Sequence, residues 1–449
     1  MTSVLLSGGV GPVTLLSDTN YYLPEGELIF SANSSGLVSQ SGHNNTLAID
    51  GAVVAELRAV WLNDDGSGLG HHSVYVGPTG ILRSLGVSMP ALLFQDNDNE
   101  VFNHGTISGY VGVDFSFGSN GRSQDGYLEN GATGTITGSR YGVDVSGVNS
   151  VRIANAGEIT GQTYGVYSWL SSDGVVINSG RIAGQIGIRI LGSGMEILNT
   201  GLIESTNDRN YEAIRSSTWT DIDFEEVITV AVEPVIIQNW GTIRAANKAI
   251  QLEEAADHIR NAGIIQGDVY LGDGGDGFNG RGGTVDGVIY GEGGNDTLKG
   301  SQIDDDLIDA GSDNDMVWGR GGDDTLIGGA GYDTLLGQNG NDFLDGGGRS
   351  DVLIGGAGDD TLIGGGGGDR FVFGRKSGDD RIADFQDGSD MIDLTALNIQ
   401  NFNALNASGA ISNLSGGDVA IDLSLVGGNG TLWIDGISAG QLSASDFLF

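Results

Sequence analysis

The sequence predicts an all-β protein in which an N-terminal parallel β-helix continues into a C-terminal parallel β-roll. Two internal repeats carry this prediction, one of about 22 residues before position 267 and one of nine residues after it. The chain also holds 80 glycines but only five prolines among 449 residues, a bias that favours stacked, turn-rich repeats. We expect a cap with irregular early coils at 1–100, the β-helix at 101–267, the β-roll at 268–394 and capping strands at 395–449.

The first hundred residues are the least regular part. Segments 47–54 and 73–82 alternate apolar and small residues like strands of a coil. We expect residues 1–40 to form a cap, because an open end of a solenoid presents unpaired strand edges.

Between residues 103 and 267 the phrase N-x-G-x-I-x-G recurs. It begins at Asn103, Asn155, Asn178, Asn199, Asn239 and Asn261, with a looser copy at Asn130. Such a period, with β-branched residues in alternation, predicts one β-helix coil per copy. The isoleucines should stack as an interior ladder of Ile107, Ile136, Ile159, Ile182, Ile203, Ile243 and Ile265. The asparagine is then a corner residue that bonds its neighbours. The alternative is an antiparallel sandwich of short strands.

These coils resemble the N-x-G-x-I-x-G coils in the passenger domains of bacterial adhesins and autotransporters. The resemblance covers residues 103–267, and it implies an adhesin-like or matrix-like role.

The second repeat is the nonapeptide G-G-x-G-x-D-x-U-x, where U is a large apolar residue. Its clearest copies are residues 328–336, 355–363 and 364–372. Glycine allows the positive φ that a tight turn needs, and position eight should be buried. The carboxylate at position six and the turn carbonyls are the oxygen ligands that a hard cation such as Ca²⁺ prefers.

Counting in this frame gives the candidate metal ligands at position six. They are Asp276, Asp296, Asp305, Asp315, Asp324, Asp333, Asp342, Asp351, Asp360 and Asp369, if Asp309 is skipped. Position eight then reads Phe278, Leu298, Leu307, Val317, Leu326, Leu335, Leu344, Leu353, Leu362 and Phe371. Three copies lack the third glycine and carry Ile303, Asp313 or Arg349 instead. We expect those turns to be the weakest ion sites.

The nonapeptide repeats resemble those of the RTX family of secreted calcium-binding proteins. The resemblance implies several bound Ca²⁺ ions, export through a type I secretion apparatus, and an extracellular or cell-surface location. Residues 373–394 are similar to the segment that ends the β-roll in RTX proteases, which adds Asp380 and Asp390 as further candidate metal ligands and Asp384 as another acidic position. The tail at 444–449 looks like the uncleaved C-terminal secretion signal of that family.

The charge balance limits the partners. The chain has 59 acidic and 20 basic residues and a net charge of −39, which argues against nucleic acid or an anionic membrane. No stretch has the roughly 20 apolar residues of a membrane span, so we expect no transmembrane segment. The chain contains no cysteine, and bound metal could take the place of disulfides.

Catalytic motifs are weak. Residues 141–146 read Y-G-V-D-V-S, which resembles the first half of the Y-G-F-D-P-H motif of alginate epimerases but lacks its Pro-His half. Other candidate acid–base residues are Asp114, Asp144, Glu158, Glu204 and the acidic segment 221–226. His71 and His72 form a pair without further zinc ligands. We therefore expect a calcium-binding adhesin-like protein that has no catalytic site of its own and that binds a glycan or a cell surface. The alternative is a carbohydrate-active enzyme, namely a polysaccharide lyase, hydrolase or epimerase, built on the β-helix.

Overall fold

The computed structural model describes residues 2–449 apart from 17, 40–43, 63–70, 96–97, 116–124, 148–149, 170–172, 192–193, 208–211, 218–233, 305 and 415–416. The chain folds almost entirely into parallel β-strands, as the repeats predict. It divides into two compact units, the first comprising Met1–Glu254 with Gly263–Gly267 and the second Ala255–Ala262 with Asp268–Phe449. In the described part of the chain, no helix has the length and apolar character that crossing a membrane requires.

Each coil of the first unit contributes strands to three faces. The first face contains Thr2–Leu5, Thr19–Leu23, Asn44–Ile49, His71–Val76, Asn99–Asn103, Asp125–Asn130, Ser150–Asn155, Gly174–Asn178, Met195–Asn199 and Val235–Asn239. The second contains Gly9–Val10, Leu28–Ser31, Ala52–Ala55, Ile81–Ser84, Glu158–Gly161, Arg181–Gly184 and Leu202–Ser205. The third contains Val13–Thr14, Leu37–Ser39, Val60–Leu62, Leu92–Phe94, Tyr164–Trp169, Ile186–Leu191 and Ile214–Ser217. The long strands Thr106–Asp114, Thr135–Ser146 and Thr242–Gln251 turn from the second face onto the third.

The strands pair in parallel from coil to coil with matched repeats. Ile136 is opposite Ile107 and Ile159, and Ile203 is opposite Ile182 and Ile243. All seven predicted ladder isoleucines are fully buried. The interior ladder is thus confirmed, and parallel pairing contradicts the antiparallel sandwich. Part of the segment 1–40, expected as a cap, already forms coil strands, because Thr2–Leu5 pairs in parallel with residues 19–22.

The repeated asparagines form a second ladder at one corner. The side-chain amide of Asn155 donates to Asn178 Oδ1 at 2.8 Å, and that of Asn178 donates to Asn199 Oδ1 at 2.9 Å. The same contact joins Asn103 to Asn130, Asn130 to Asn155, and Asn199 to Asn239. All of these asparagines are buried. The predicted corner role is confirmed, and the corner links successive coils through side chains as well as backbone.

The second unit contains two facing columns of short parallel strands. One column contains His258–Asn261, Gly277–Asn279, Thr297–Lys299, Met316–Gly321, Thr334–Asn339, Val352–Ala357, Arg370–Val372, Met391–Asp393 and Phe447–Leu448. The other contains Thr284–Asp286, Val288–Gly293, Leu307–Ser312, Thr325–Ala330, Phe343–Gly348, Thr361–Ile363, Asp380–Ile382 and Thr431–Ile434. Strand Ile264–Asp273 precedes this second column. The predicted position-eight residues other than Leu307 are buried between the two columns.

The last part of the chain closes the second unit with mixed structure. Ile411–Asn413 and Val419–Asp422 pair antiparallel, and Val419–Asp422 pairs antiparallel with Thr431–Ile434. The helical segments are Phe402–Ala407, which is α-helical, and the 3₁₀ turns Thr395–Leu397, Leu423–Val426 and Ala444–Asp446. The terminal strand pairs in parallel with Ile392 and Asp393.

We predict that Asn178→Ala destabilises the first unit by about 3 kcal/mol, because it leaves several buried polar groups unsatisfied. The Asn178 amide donates to Gly180 O, Asn199 Oδ1 and Leu202 O, and its oxygen accepts from Asn155. Urea unfolding followed by circular dichroism would measure the loss. Gln162→Ala, at an exposed position of the same unit, is the control. Equal unfolding midpoints for the two variants would refute the structural role of the corner ladder.

Candidate metal centre

Each nonapeptide turn of the second unit places one aspartate directly before a strand, with its side chain turned inward. Successive side chains of the strand point alternately to the interior and to the surface. The aspartate at position six and the apolar residue at position eight therefore both point to the interior. At least 95% of the surface of each of these aspartates is inaccessible. They are Asp276, Asp296, Asp306, Asp315, Asp324, Asp333, Asp342, Asp351, Asp360, Asp369, Asp380 and Asp390.

One carboxylate oxygen of each of these aspartates, except Asp306, accepts a backbone N–H from a neighbouring coil. The backbone N–H of Asp333 donates to Asp351 Oδ1 at 2.8 Å, and that of Asp351 donates to Asp369 Oδ1 at 2.9 Å. The contact repeats along two ladders, one on each side of the roll. The first comprises Asp257, Asp276, Asp296, Asp315, Asp333, Asp351, Asp369 and Asp390, and the second Asp306, Asp324, Asp342, Asp360 and Asp380.

The second carboxylate oxygen is buried and accepts no hydrogen bond in most of these turns. This is the case for Oδ2 of Asp276, Asp296, Asp315, Asp333, Asp351, Asp360 and Asp369. A buried carboxylate oxygen without a partner is costly, by at least about 1–3 kcal/mol for each group. A repeated cost of this kind indicates that something absent from the polypeptide satisfies these oxygens.

Because burial disfavours the charged form, the pKa of these carboxyl groups is also raised. Burial is the main cause, and neighbouring aspartates add to it at several positions, while the backbone N–H that each carboxylate receives acts in the opposite direction. The pKa rises to about 8 for Asp276, Asp315 and Asp380, to about 7 for Asp296, Asp351 and Asp360, and to about 6 for Asp369.

The glycines of the turn make space for this arrangement. A Cβ atom on Gly346 would lie 2.6 Å from Asp351 Oδ2, and one on Gly328 would lie 2.8 Å from Asp333 Oδ2. Two of the three residues that replace the third glycine nevertheless keep a left-handed backbone, with φ of 77° at Asp313 and 86° at Arg349.

These residues fit a hard cation. Calcium binds oxygen atoms, both from carboxylates and from carbonyls, and here a free carboxylate oxygen recurs beside glycine-rich turns. Among the described residues, no three His, Cys, Asp or Glu side chains converge as a ready ligand set. The remaining ligands must therefore be mainly backbone carbonyls. The aspartates with a free Oδ2 are the residues that would hold the ion, and the ion would neutralise them.

The structure corrects the repeat frame in one turn. Asp305 lies outside the described residues, and Asp306 occupies the ladder position, where its N–H donates to Asp324 Oδ1 at 2.8 Å. Correspondingly, Ile308 is fully buried while Leu307 is 38% exposed. The inserted residue therefore lies within the turn at 300–306 and is not Asp309. The expectation for Leu307 at position eight was wrong.

The repeat pattern did not predict the hydrogen bonds at the two ends of the first ladder. Asp257 begins the first ladder, since its N–H donates to Asp276 Oδ1 at 2.7 Å, although no glycine repeat surrounds it. At the other end, both oxygens of Asp390 are used, by the N–H groups of Asp369 and Gln386. Asp384 accepts from the N–H groups of Gly364 and Gly365. Asp384 and Asp390 thus close the roll through hydrogen bonds.

The acidic candidates of the first unit separate into two groups. Glu158 and Glu204 belong to an ion-pair chain in which Arg181 lies 2.5 Å from Glu158 and 2.7 Å from Glu204. Although burial raises the pKa of Glu204, hydrogen bonds from Arg244 and Arg181 hold it below its usual value. These contacts give both glutamates a structural role. The acidic segment 221–226 lies outside the described residues.

The histidine pair also has a structural explanation. His72 is fully buried, and its Nδ1 accepts the backbone N–H of Asn45 at 3.1 Å. His71 is at the surface, where its Nε2 lies 3.7 Å from Glu100.

Asp114 and Asp144, by contrast, belong to a row on the third face. They are paired in register, and the same position is occupied by Tyr167, Arg189 and Arg215 in the next coils. Tyr167 stacks on Tyr141 and Tyr164, at centroid distances of 4.8 and 5.3 Å. Burial, and then the charge of Asp114, raise the pKa of Asp144 to about 7. The row combines a carboxyl pair with aromatic rings and guanidinium groups.

We predict that the metal-free second unit is more stable at pH 5 than at pH 8. Its aspartates bind protons more tightly when folded than in the unfolded chain, where their pKa is about 3.9. Stability without metal therefore increases as the pH falls through the raised pKa values of about 8 to 6. Circular dichroism of residues 255–449 in chelator would show more β-structure at pH 5. With calcium present the trend should reverse, because protons compete with the cation. Less β-structure at pH 5 in chelator would contradict the prediction.

Comparison with known protein families identifies the repeats of the second unit. A family model described as the RTX calcium-binding nonapeptide repeat (4 copies) matches residues 281–302, 302–335 and 336–371. No curated protein sequence matches the chain. Among solved structures, the AlgE6R3 subunit of the Azotobacter vinelandii mannuronan C5-epimerase is 28% identical, with 35% of this chain and 80% of that chain covered and a TM-score of 0.19. The family match identifies residues 281–371 as RTX calcium-binding nonapeptide repeats, and their strands pair in parallel as a β-roll.

Proposed function

We propose that this is a secreted RTX protein whose second unit folds when it binds several Ca²⁺ ions. The observation that carries the proposal is the series of buried Oδ2 atoms without hydrogen-bond partners, one in each of seven turns. Calcium would replace the water that these oxygens lose on folding, and the aspartates of both ladders would be its charged ligands.

The charge of the second unit supports a calcium requirement. Residues 268–393 contain 27 acidic and 8 basic side chains, a surplus of 19 negative charges. This surplus opposes compaction unless cations neutralise it. Each site would add about 1.4 kcal/mol of stability at a tenfold excess of free calcium over its dissociation constant. Several such sites together are comparable with the whole stability of a typical domain.

The β-helix, in this proposal, is the adhesin-like or matrix-like part. Its corner asparagines and interior isoleucines are explained by coil stacking alone. Extracellular calcium modules bind at about 10⁻⁴ to 10⁻³ M, so the second unit would stay unfolded before export by a type I secretion apparatus. A glycan or a cell surface would be the partner outside the cell.

A second function is favoured by the row on the third face. A carboxyl pair with one raised pKa, next to tyrosines and arginines, is the kind of group that acid–base cleavage of a polysaccharide requires. Asp114 and Asp144 would be the acid–base pair of such an enzyme. The missing Pro-His half of the epimerase-like motif at 141–146 argues against epimerisation and favours a lyase or hydrolase.

We predict that Asp360→Asn raises the calcium concentration needed to fold the second unit several-fold. The asparagine can still accept the N–H of Asp342, but it removes the charge and places an amide at the position of the free oxygen. Calcium titration followed by circular dichroism would measure the midpoint. Asp387→Asn is the matched control, because Asp387 is exposed in a turn outside both ladders. If the chain shows the same β-structure in chelator and in calcium, the proposed function fails.

A further test separates the two functions of the first unit. We predict that the calcium-loaded protein binds glycans in an array without cleaving them, and that Asp144→Asn leaves this binding unchanged. Release of shortened or unsaturated products from a polysaccharide panel, abolished by Asp144→Asn but not by Gln162→Ala, would overturn the adhesin proposal and establish the enzyme.

A further inference from the structure

A basic pocket lies at the stacked turns of the roll, where Arg320 is near enough to the ladder residue Asp306 for their charges to interact. It encloses about 330 Å³ and is lined by Arg281, Gln302, Arg320, Gln338 and Asn339. No carboxylate is among the described residues that line it, although the surrounding segment is strongly acidic. The described side chains that line this pocket are therefore positively charged or neutral, whereas the second unit as a whole is negatively charged.

Both arginines line this pocket, and hydrogen bonds hold one of them in place. Arg320 donates from Nη1 to Asn279 Oδ1 at 3.1 Å and to Gly300 O at 2.9 Å. Burial, and then the charge of Arg281, lower the pKa of Arg320, while the charge of Asp306 acts in the opposite direction. Among the described residues, no acidic side chain forms a salt bridge with Arg281 or Arg320. Two neighbouring cations that repel each other favour an anion between them.

The backbone under the pocket is strained. Arg320 and Gln338 are register partners in successive coils, and both have a φ of 82°. They stand at the second position of the nonapeptide, where the repeat has glycine and where a residue with a Cβ atom costs free energy. Strain of this kind is often found at functional sites. Here it places an arginine and a glutamine side by side on the pocket wall.

The same face offers an aromatic surface next to the pocket. Strand Met316–Gly321 alternates, so that Trp318 and Arg320 lie on its outward side while Val317 and Gly319 are buried. Lys299 Nζ lies 4.5 Å from the centre of the Trp318 ring. Three of the eight basic residues in segment 268–393 thus lie at or beside this pocket.

We propose that this pocket binds an acidic polysaccharide through the carboxylate of a uronic acid residue. A guanidinium group forms paired hydrogen bonds with a carboxylate. The amides of Gln302, Gln338 and Asn339 can each donate and accept, as sugar hydroxyl groups require. The lining comes from successive coils about 4.8 Å apart, so an extended chain that runs along the roll could be contacted repeatedly.

The inference rests on the proposed calcium-folded roll, since the pocket is built from successive coils. Binding should therefore require calcium, and it should weaken with salt, because it depends on charge. Neutral sugar chains should not bind, because they would leave both guanidinium groups without an anion.

The test is calorimetric titration of the calcium-loaded full chain with a short oligogalacturonate, at fixed free calcium. We expect Arg281→Gln/Arg320→Gln to bind about tenfold or more weakly, as loss of charge-assisted hydrogen bonds implies. Arg349→Gln/Arg375→Gln is the matched control, since it removes the same charge from exposed positions outside the pocket. Arg281→Gln alone serves if Arg320→Gln impairs folding, because Arg320 holds two structural hydrogen bonds.

Circular dichroism of the same samples shows whether calcium folds the roll. A roll that folds with calcium but does not bind oligogalacturonate overturns the pocket assignment and leaves the proposed function intact. Equal losses in the pocket and control variants, or equal binding of a neutral cello-oligosaccharide, overturn it as well. A roll that does not respond to calcium instead overturns the proposed function.

Discussion

The structure depends on one constraint, which is that a short coil cannot satisfy its own polar groups. Each coil exposes strand edges and corner amides that only the next coil can pair. Both units meet this constraint with a column of identical side chains at a turn. In the first unit the Asn155 amide donates to Asn178, and in the second the N–H of Asp333 donates to the Asp351 carboxylate. The choice between an amide and a carboxylate determines how each unit can be stabilised.

An asparagine column is chemically complete. Each amide has both donors and an acceptor, so Asn178 can accept from one neighbour and donate to the next without leaving a buried atom unsatisfied. An ionised carboxylate only accepts. In each aspartate column one oxygen receives a backbone N–H, and in seven turns the other receives nothing. The polypeptide cannot complete this column, and a proton or a cation must do so. This difference explains why we assign a calcium requirement to the second unit only.

Most of the fold could be predicted because the repeats constrain it many times over. The isoleucine ladder, the corner asparagines and the buried position-eight residues all follow from period and polarity. The frame was wrong where the repeat itself is ambiguous, since Asp304, Asp305 and Asp306 are consecutive and both Leu307 and Ile308 are apolar. The position of Asp306 in the ladder and the burial of Ile308 decide the frame. Asp257 could not be identified either, because no glycine turn precedes it. The register of Asp114, Asp144, Tyr167 and Arg189 could be predicted, because each stands two residues after a glycine in successive coils. Arg215 continues the row, but alanine replaces that glycine before it.

The glycine pattern is a weaker guide to the ion sites than the sequence suggests. Asp313 and Arg349 replace the third glycine but keep its left-handed backbone, at a cost of about 1–2 kcal/mol each. The stacked neighbours evidently supply enough pairing to hold them there. Asp351, which follows Arg349, has the same buried and unpartnered Oδ2 as Asp360, whose turn has a full glycine set. Because a cation responds to the free oxygen and to nearby carbonyls, not to the residue that forms the turn, the geometry gives no reason to rank Asp351 below Asp360.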